Sequence, residues 1–325
     1  MRWLITGADG MLGRDLHAVL GSPTPTSATS TSVTPTSVTP TSPTPTSAAP
    51  TSATPTSAAP TSATSTDTRL EVIATTRAEL DITDPAAVRD AVAGADVVFN
   101  TAAWTDVDGA ETSPGAAAAV NAEAVRVLAA AAGPRLIHFS TDYVFDGTAT
   151  SPYAEDTPYA PVNAYGRTKA AGERAVLAAG GYVIRTAWLY GAHGPNFVRT
   201  MLRLAAERDT LTVVNDQQGQ PTWSYALAQQ SVALAHAALA DRAPAGAYHG
   251  TAAGSTTWHG LAQAVFTEAG LDPARILPTT SDRFPRPAPR PSYSVLGHDR
   301  WSTTPVSPLP HWRTMLKEAF PTLHP

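Results

Sequence analysis

Short apolar runs, each followed by a turn and an amphipathic stretch, recur along most of this chain, and that alternation predicts parallel strands joined by helices. Residues 3–6 form the first apolar run, residues 14–20 the first helical pattern, and residues 70–75 the second strand. The run at 96–100 counts as the fourth strand, 135–140 follows it, and 182–185 counts as the sixth, closing a doubly wound parallel sheet. Helical patterns cover 114–132 and open again at Asn163. After Arg185 the pattern breaks into loops and short helices, with one more short strand beginning at Ala247. The expected architecture is α/β: a doubly wound sheet over residues 1–185, and a smaller α/β region over 186–325 interleaved with it.

One stretch does not fit. Residues 22–66 are a degenerate array of Thr, Ser, Pro and Ala in which Val33 and Val38 are the only larger apolar residues. Such material cannot bury a core, and its composition predicts an extended, disordered insertion on the surface, between the first helix and the second strand. A mucin-like glycosylated stalk is the alternative.

Composition narrows the function classes. The formal net charge of −5 is spread without runs, which offers no surface for nucleic acid or a membrane. Cysteine is absent, which excludes disulfides, thiolate nucleophiles and thiolate metal sites. No apolar run approaches membrane-spanning length, and the first strand enters a glycine turn without the apolar core of a signal peptide. A soluble, cytoplasmic protein is expected.

Two constellations carry chemistry. Gly7, Gly10 and Gly13 fall between the first strand and the first helix with the spacing G-x-x-G-x-x-G. Without side chains there, backbone and helix N-terminus can approach a pyrophosphate; an ordinary turn is the plainer alternative. The second constellation begins where an apolar strand ends in Ser140, Thr141, Asp142 and Tyr143, and continues in a helix carrying Tyr165 and Lys169. Four residues apart, those two side chains share a helix face, and an ammonium near a phenol makes it a better proton donor or acceptor near neutrality. At the end of the second strand, Thr75, Thr76 and Arg77 replace the acidic residue that favours NAD. Arg77 is either a reader of a 2′-phosphate or a solvated charge.

The glycine turn, the Ser-Thr strand end and the Tyr-Lys helix occur in the order seen in the short-chain dehydrogenase/reductase superfamily. More specifically, STDYVFDG, PYAPVNAYGRTKAAGE, RTAWLYG, GPNFVRTML and VVNDQQGQPTW together resemble the dTDP-4-dehydrorhamnose reductases, of the nucleotide-sugar branch. The resemblance implies a Rossmann sheet, with residues 1–185 binding NADPH or NADH and residues 186–325 mainly binding a nucleotide sugar. It implies reduction of the C4 ketone of dTDP-4-dehydro-6-deoxy-L-mannose to dTDP-L-rhamnose, with Thr141, Tyr165 and Lys169 catalytic. Gly7, Asp9, Gly10, Met11, Leu12, Gly13, Arg77, Asp81, Ile82, Ala102, Ala103 and Thr105 would line the cofactor together with Tyr165 and Lys169. Val107, Asp108, Thr141, Asp142, Tyr143, Trp188, Asn196 and Gln217 would meet the substrate. Asn121 would support the site, and His249 would be structural. Arg290, in the closing RPxxSxL segment, is either near a diphosphate or a surface cation.

Family members are monomers or homodimers, and in some Mg2+ links carboxylates across the dimer; those carboxylates cannot be placed in this sequence. A dehydratase is disfavoured because Asp142 is followed by Tyr143 rather than by a second carboxylate. A related 4-ketoreductase or epimerase, and a non-catalytic subunit resembling the regulatory partner of methionine adenosyltransferase, are the other readings.

Overall fold

The computed structural model describes residues 1–21 and 70–323; the insertion expected at 22–66 lies outside them. Five strands, β1 (Arg2–Thr6), β2 (Glu71–Thr75), β3 (Val97–Asn100), β4 (Leu136–Thr141) and β5 (Tyr182–Thr186), form a parallel sheet with a sixth, Gly246–His249. The order across the sheet is Gly246–His249, β5, β4, β3, β1, β2. This is the doubly wound arrangement, and the order reverses between β1 and β3, where a crevice opens at the carboxyl ends of the strands.

Two strand assignments are corrected. The run ending at Asn100 is the third strand and the one beginning at Tyr182 the fifth, because nothing pairs with the sheet between β2 and β3. Leu80 and Ile82 bury their side chains, but Asp81 turns back to accept from the backbone N–H and hydroxyl of Thr83, and Asp84 caps the helix α2 (Pro85–Val92). Capping chemistry there overrides a strand. The sixth strand comes instead from the C-terminal part, where Gly246–His249 pairs with β5.

Alternation along the strands separates two cores. Trp3 and Ile5 of β1, Phe99 of β3 and Phe139 of β4 face one side, in one apolar cluster with residues of α1 (Met11–Gly21), α8 (Ser224–Leu239), α9 (Trp258–Glu268) and α10 (Trp312–Leu323). Leu4, Val98, Leu136 and Val183 face the other, under α2 and α5 (Ala124–Ala132). Between the apolar residues of β4, His138 and Ser140 share this second face, and α6 (Ala164–Ala178) turns Lys169 and Glu173 towards them.

The remaining helices are α3 (Val107–Thr112), α4 (Pro114–Ala118) and α7 (Phe197–Glu207). From α4 the chain continues through a π-turn, Ala119–Glu123, into α5. By length and composition the run Pro114–Arg135 is apolar enough to cross a membrane, contrary to the sequence expectation. Here Val125, Leu128 and Ala129 bury that apolarity against the sheet.

Candidate active site

The crevice is a cavity of about 830 Å³ that runs from the glycine turn to the end of β4. Gly7 has φ of 73°, and a Cβ on it would lie 2.7 Å from the backbone nitrogen of Ala102, so only glycine lets β1 and the loop after β3 come this close. Gly10 is hemmed in only by the Gly7 carbonyl, at 3.3 Å, which leaves the mouth of α1 open. No acidic residue occupies the first turn of α1, so its N-terminus suits an anion. Gly7, Asp9, Gly10, Met11, Leu12 and Gly13 all line the cavity, as do Arg77, Asp81, Ile82, Ala102, Ala103 and Thr105. Arg77 is exposed at the rim.

Asn121, anticipated as a support, sits fully buried in the π-turn. Its Oδ1 accepts from the Trp104 backbone N–H at 2.9 Å, and its Nδ2 donates to the Trp104 carbonyl at 3.0 Å and to the Thr168 hydroxyl at 3.2 Å. One side chain thus fastens the cavity-lining loop after β3 to the helix that carries Tyr165 and Lys169. Such π-turns are frequent at functional sites.

At the far end Thr141, Asp142, Tyr143, Tyr165 and Lys169 converge. Gly166 makes room for this: a Cβ there would lie 2.1 Å from the Tyr143 carbonyl. Asn163 caps α6 by accepting from the Gly166 N–H at 2.8 Å, and donates to the Pro289 carbonyl at 3.0 Å. Thr141 donates to Asp142 at 2.9 Å and lines the same end of the cavity as the phenol of Tyr165. Burial, with the charge of Asp142 adding to it, raises Tyr165 above the usual phenol range, so the ring stays protonated at neutral pH. Burial likewise lifts Asp142 to about 6.

Lys169 differs from expectation. Its Nζ donates to the Phe139 carbonyl at 2.6 Å and lies 3.2 Å from His138 Nε2; burial brings it down to about 8 against the opposing pull of Glu173. Tyr165 is raised rather than drawn towards neutrality, by desolvation first and by the charge of Asp142 second. Behind them Glu173 binds Arg185 at 2.8 Å and accepts from Ser140, while Arg185 reaches His249, whose other nitrogen donates to the Gly297 carbonyl at 2.8 Å. Both ring nitrogens of His249 are thus engaged in this buried network.

Of the side chains expected to meet substrate, Val107, Thr141, Asp142, Tyr143 and Trp188 line the cavity. Three do not. Asp108 is clasped by Arg290, with Nη1 at 2.6 Å and Nη2 at 3.0 Å, which holds its carboxyl below the ordinary range. Arg290 is thus paired and half-buried rather than a free surface cation. Asn196 caps α7, accepting from the Arg199 N–H at 3.1 Å, and its amide donates to the Gly191 carbonyl at 2.9 Å. Gln217 donates to Ser281 at 2.8 Å and accepts from the Trp258 indole at 3.1 Å.

Trp258 lines the cavity and was missed from sequence. It stacks on Trp188 with ring centroids 3.6 Å apart and planes at 9°. Trp188 itself has φ of 48°, a conformation that costs energy for a bulky residue and that packing must hold. A lone aromatic at the start of a distant helix gives no local signal of such a partner. Among the described residues no group of three or more His, Asp or Glu side chains gathers as a cation site.

Comparison with known proteins agrees with this geometry. A family model described as the RmlD substrate binding domain matches residues 60–324. A dTDP-4-dehydrorhamnose reductase from Streptomyces griseus is 48% identical, over 99% of this chain and 94% of its own. A dTDP-4-keto-6-deoxy-D-glucose reductase from Streptomyces niveus is 44% identical, over 99% and 98%. The structure of dTDP-4-dehydrorhamnose reductase from Bacillus anthracis in complex with NADP has a TM-score of 0.78 at 30% identity and covers 98% of each chain. Cavity, fold and sequence concur that this chain belongs to the dTDP-4-dehydrorhamnose reductase family.

Proposed function

We propose that this protein reduces the C4 ketone of dTDP-4-dehydro-6-deoxy-L-mannose to dTDP-L-rhamnose with NADPH or NADH, acting in the cytoplasm as a monomer or homodimer. One observation carries the reading: Thr141, Tyr165 and Lys169 gather at the end of a cavity that begins at a glycine turn open enough to admit a pyrophosphate. Bound there, the reduced nicotinamide supplies the hydride. Tyr165 gives the forming alkoxide its proton, and the raised pKa of the buried phenol ensures that the proton is present. Thr141 turns its hydroxyl from Asp142 to the carbonyl oxygen, where negative charge develops. Lys169 holds the nicotinamide ribose and lends positive charge beside the phenol. Residues 1–185 bind the dinucleotide and the chain from 186 onward mainly the sugar nucleotide, interleaved through the strand Gly246–His249.

The test is incubation of the purified protein with dTDP-4-dehydro-6-deoxy-L-mannose and either reduced nicotinamide, followed by product identification. Oxidation of the nicotinamide only when the ketone is present, with dTDP-L-rhamnose formed, is expected; no ketone-dependent oxidation overturns the reading. The 44% identity to the S. niveus protein makes a second substrate, dTDP-4-keto-6-deoxy-D-glucose, the appropriate competitor. The larger kcat/KM identifies the natural ketone.

A further inference from the structure

The reaction as described leaves His138 without a role, although its ring is fully buried directly behind Lys169. Asn100 Nδ2 lies 2.9 Å from His138 Nδ1, on the side away from Lys169. Proton directions along this line can be assigned. The Ala102 backbone N–H and the Thr6 hydroxyl both donate to Asn100 Oδ1, at 3.2 and 2.7 Å. That orients the amide, so Nδ2 must donate to His138 Nδ1. A neutral imidazole then carries its hydrogen on Nε2, aimed at Lys169, and burial holds His138 well below its ordinary pKa. An ammonium has only donors. The neutral amine alone can accept from Nε2–H while donating to the Phe139 carbonyl at 2.6 Å. One unbroken run of hydrogen bonds results, from Thr6 through Asn100 and His138 to Lys169.

We propose that His138 is a positioning residue whose Nε2–H holds Lys169 against β4 as the neutral amine, and that Lys169 takes up a proton when it turns to a dinucleotide in the cavity. The second clause rests on the cofactor reading above. Among the charged neighbours, Glu173 draws Lys169 towards protonation, but it is itself paired with Arg185 of β5. Tyr165 on α6 and Asp142 and Tyr143 after β4 are the titratable groups at this end of the cavity. Burial outweighs Glu173 and leaves Lys169 at about 8. A bound form of higher pKa then makes dinucleotide affinity fall as pH rises through that value.

The tautomer is tested by long-range 1H–15N correlation at about pH 8.5, with the His138 signals assigned by their loss in His138→Gln. An Nε2–H ring is expected; an Nδ1–H ring or an imidazolium overturns the proposal. Proton uptake is read by calorimetry of NADPH binding in two buffers of different ionisation enthalpy. With Lys169 at about 8, roughly three-quarters of a proton per NADPH is expected near pH 8.5 and about a tenth near pH 7. The 2′-phosphate of NADPH titrates near pH ~6 and stays silent at the higher value. In His138→Leu the uptake near pH 8.5 should fall at least about twofold, whereas His138→Gln, which keeps a donor towards Nζ, should retain most of it. Equal uptake in wild type and the Leu variant overturns the role of His138. If the Leu variant does not fold, the wild-type tautomer decides alone. If NADPH does not bind wild type, the cofactor reading fails instead, and the tautomer still decides the state of the pair.

Discussion

The two ends of the cavity are built on different principles. At the nucleotide end, backbone and small side chains form the wall: Gly7, Gly10, Ala102 and Ala103 line it, and at Gly7 nothing larger fits between β1 and the loop after β3. At the sugar end, polar side chains were expected to do the reading, and three of them are engaged elsewhere. Asp108 holds Arg290, Asn196 holds the start of α7, and Gln217 lies behind Trp258. A backbone cradle is a local property of spacing, whereas a polar reader belongs to whichever distant residue reaches it first. The sugar end is shaped by second partners as much as by its lining.

Substitutions can break this contrast. The largest effect is expected where the two ends meet: Tyr165→Phe should lower kcat by roughly 10²–10⁴-fold while NADPH affinity stays unchanged, since only the proton donor is lost. Steady-state kinetics beside a binding titration check this, and near-normal kcat would remove Tyr165 from the chemistry. A smaller loss should follow at the sugar end from Arg290→Ala, which frees Asp108. The expected result is a rise in KM of about tenfold with kcat changed much less, because a bidentate clasp positions rather than reacts. Unchanged KM would mean that the Asp108–Arg290 pair serves stability alone.

At the nucleotide end Arg77→Ala should weaken NADPH by about three- to tenfold and leave NADH nearly unaffected, as suits an exposed cation meeting a phosphate. Equal changes for both cofactors would return Arg77 to solvent. The smallest functional effect is expected from Asn196→Ala: about 1 kcal/mol of stability lost with the α7 cap, measured by urea denaturation, and KM within about twofold. A large KM change would restore Asn196 to the substrate.

What was legible in the sequence follows the same division. Gly7, Gly10 and Gly13 could be placed because a strand, a turn and a helix follow each other without interruption. Tyr165 and Lys169 could be placed because helical periodicity alone puts them on one face. The stack of Trp258 on Trp188 was not legible, since the two residues lie on elements far apart in the chain. His138 was not legible, since a lone histidine in an apolar strand forms no motif. The sixth strand was missed as part of the sheet because Gly246–His249 is short and finds its partner in β5, long before it in sequence.

That late strand bears on how substrate preference can be exchanged between relatives. A hybrid that takes its first 185 residues from one member and the remainder from another inherits a seam inside the sheet: β5 comes from one parent and the strand that covers its edge from the other. Gly246–His249 pairs in register with Tyr182–Arg185, and His249 meets Arg185 beneath the helix of Tyr165. Grafting a new sugar specificity therefore means carrying that strand's contacts across together with the loops, or restoring them afterwards. During synthesis, too, β5 waits with an unpaired edge until Gly246–His249 has left the ribosome.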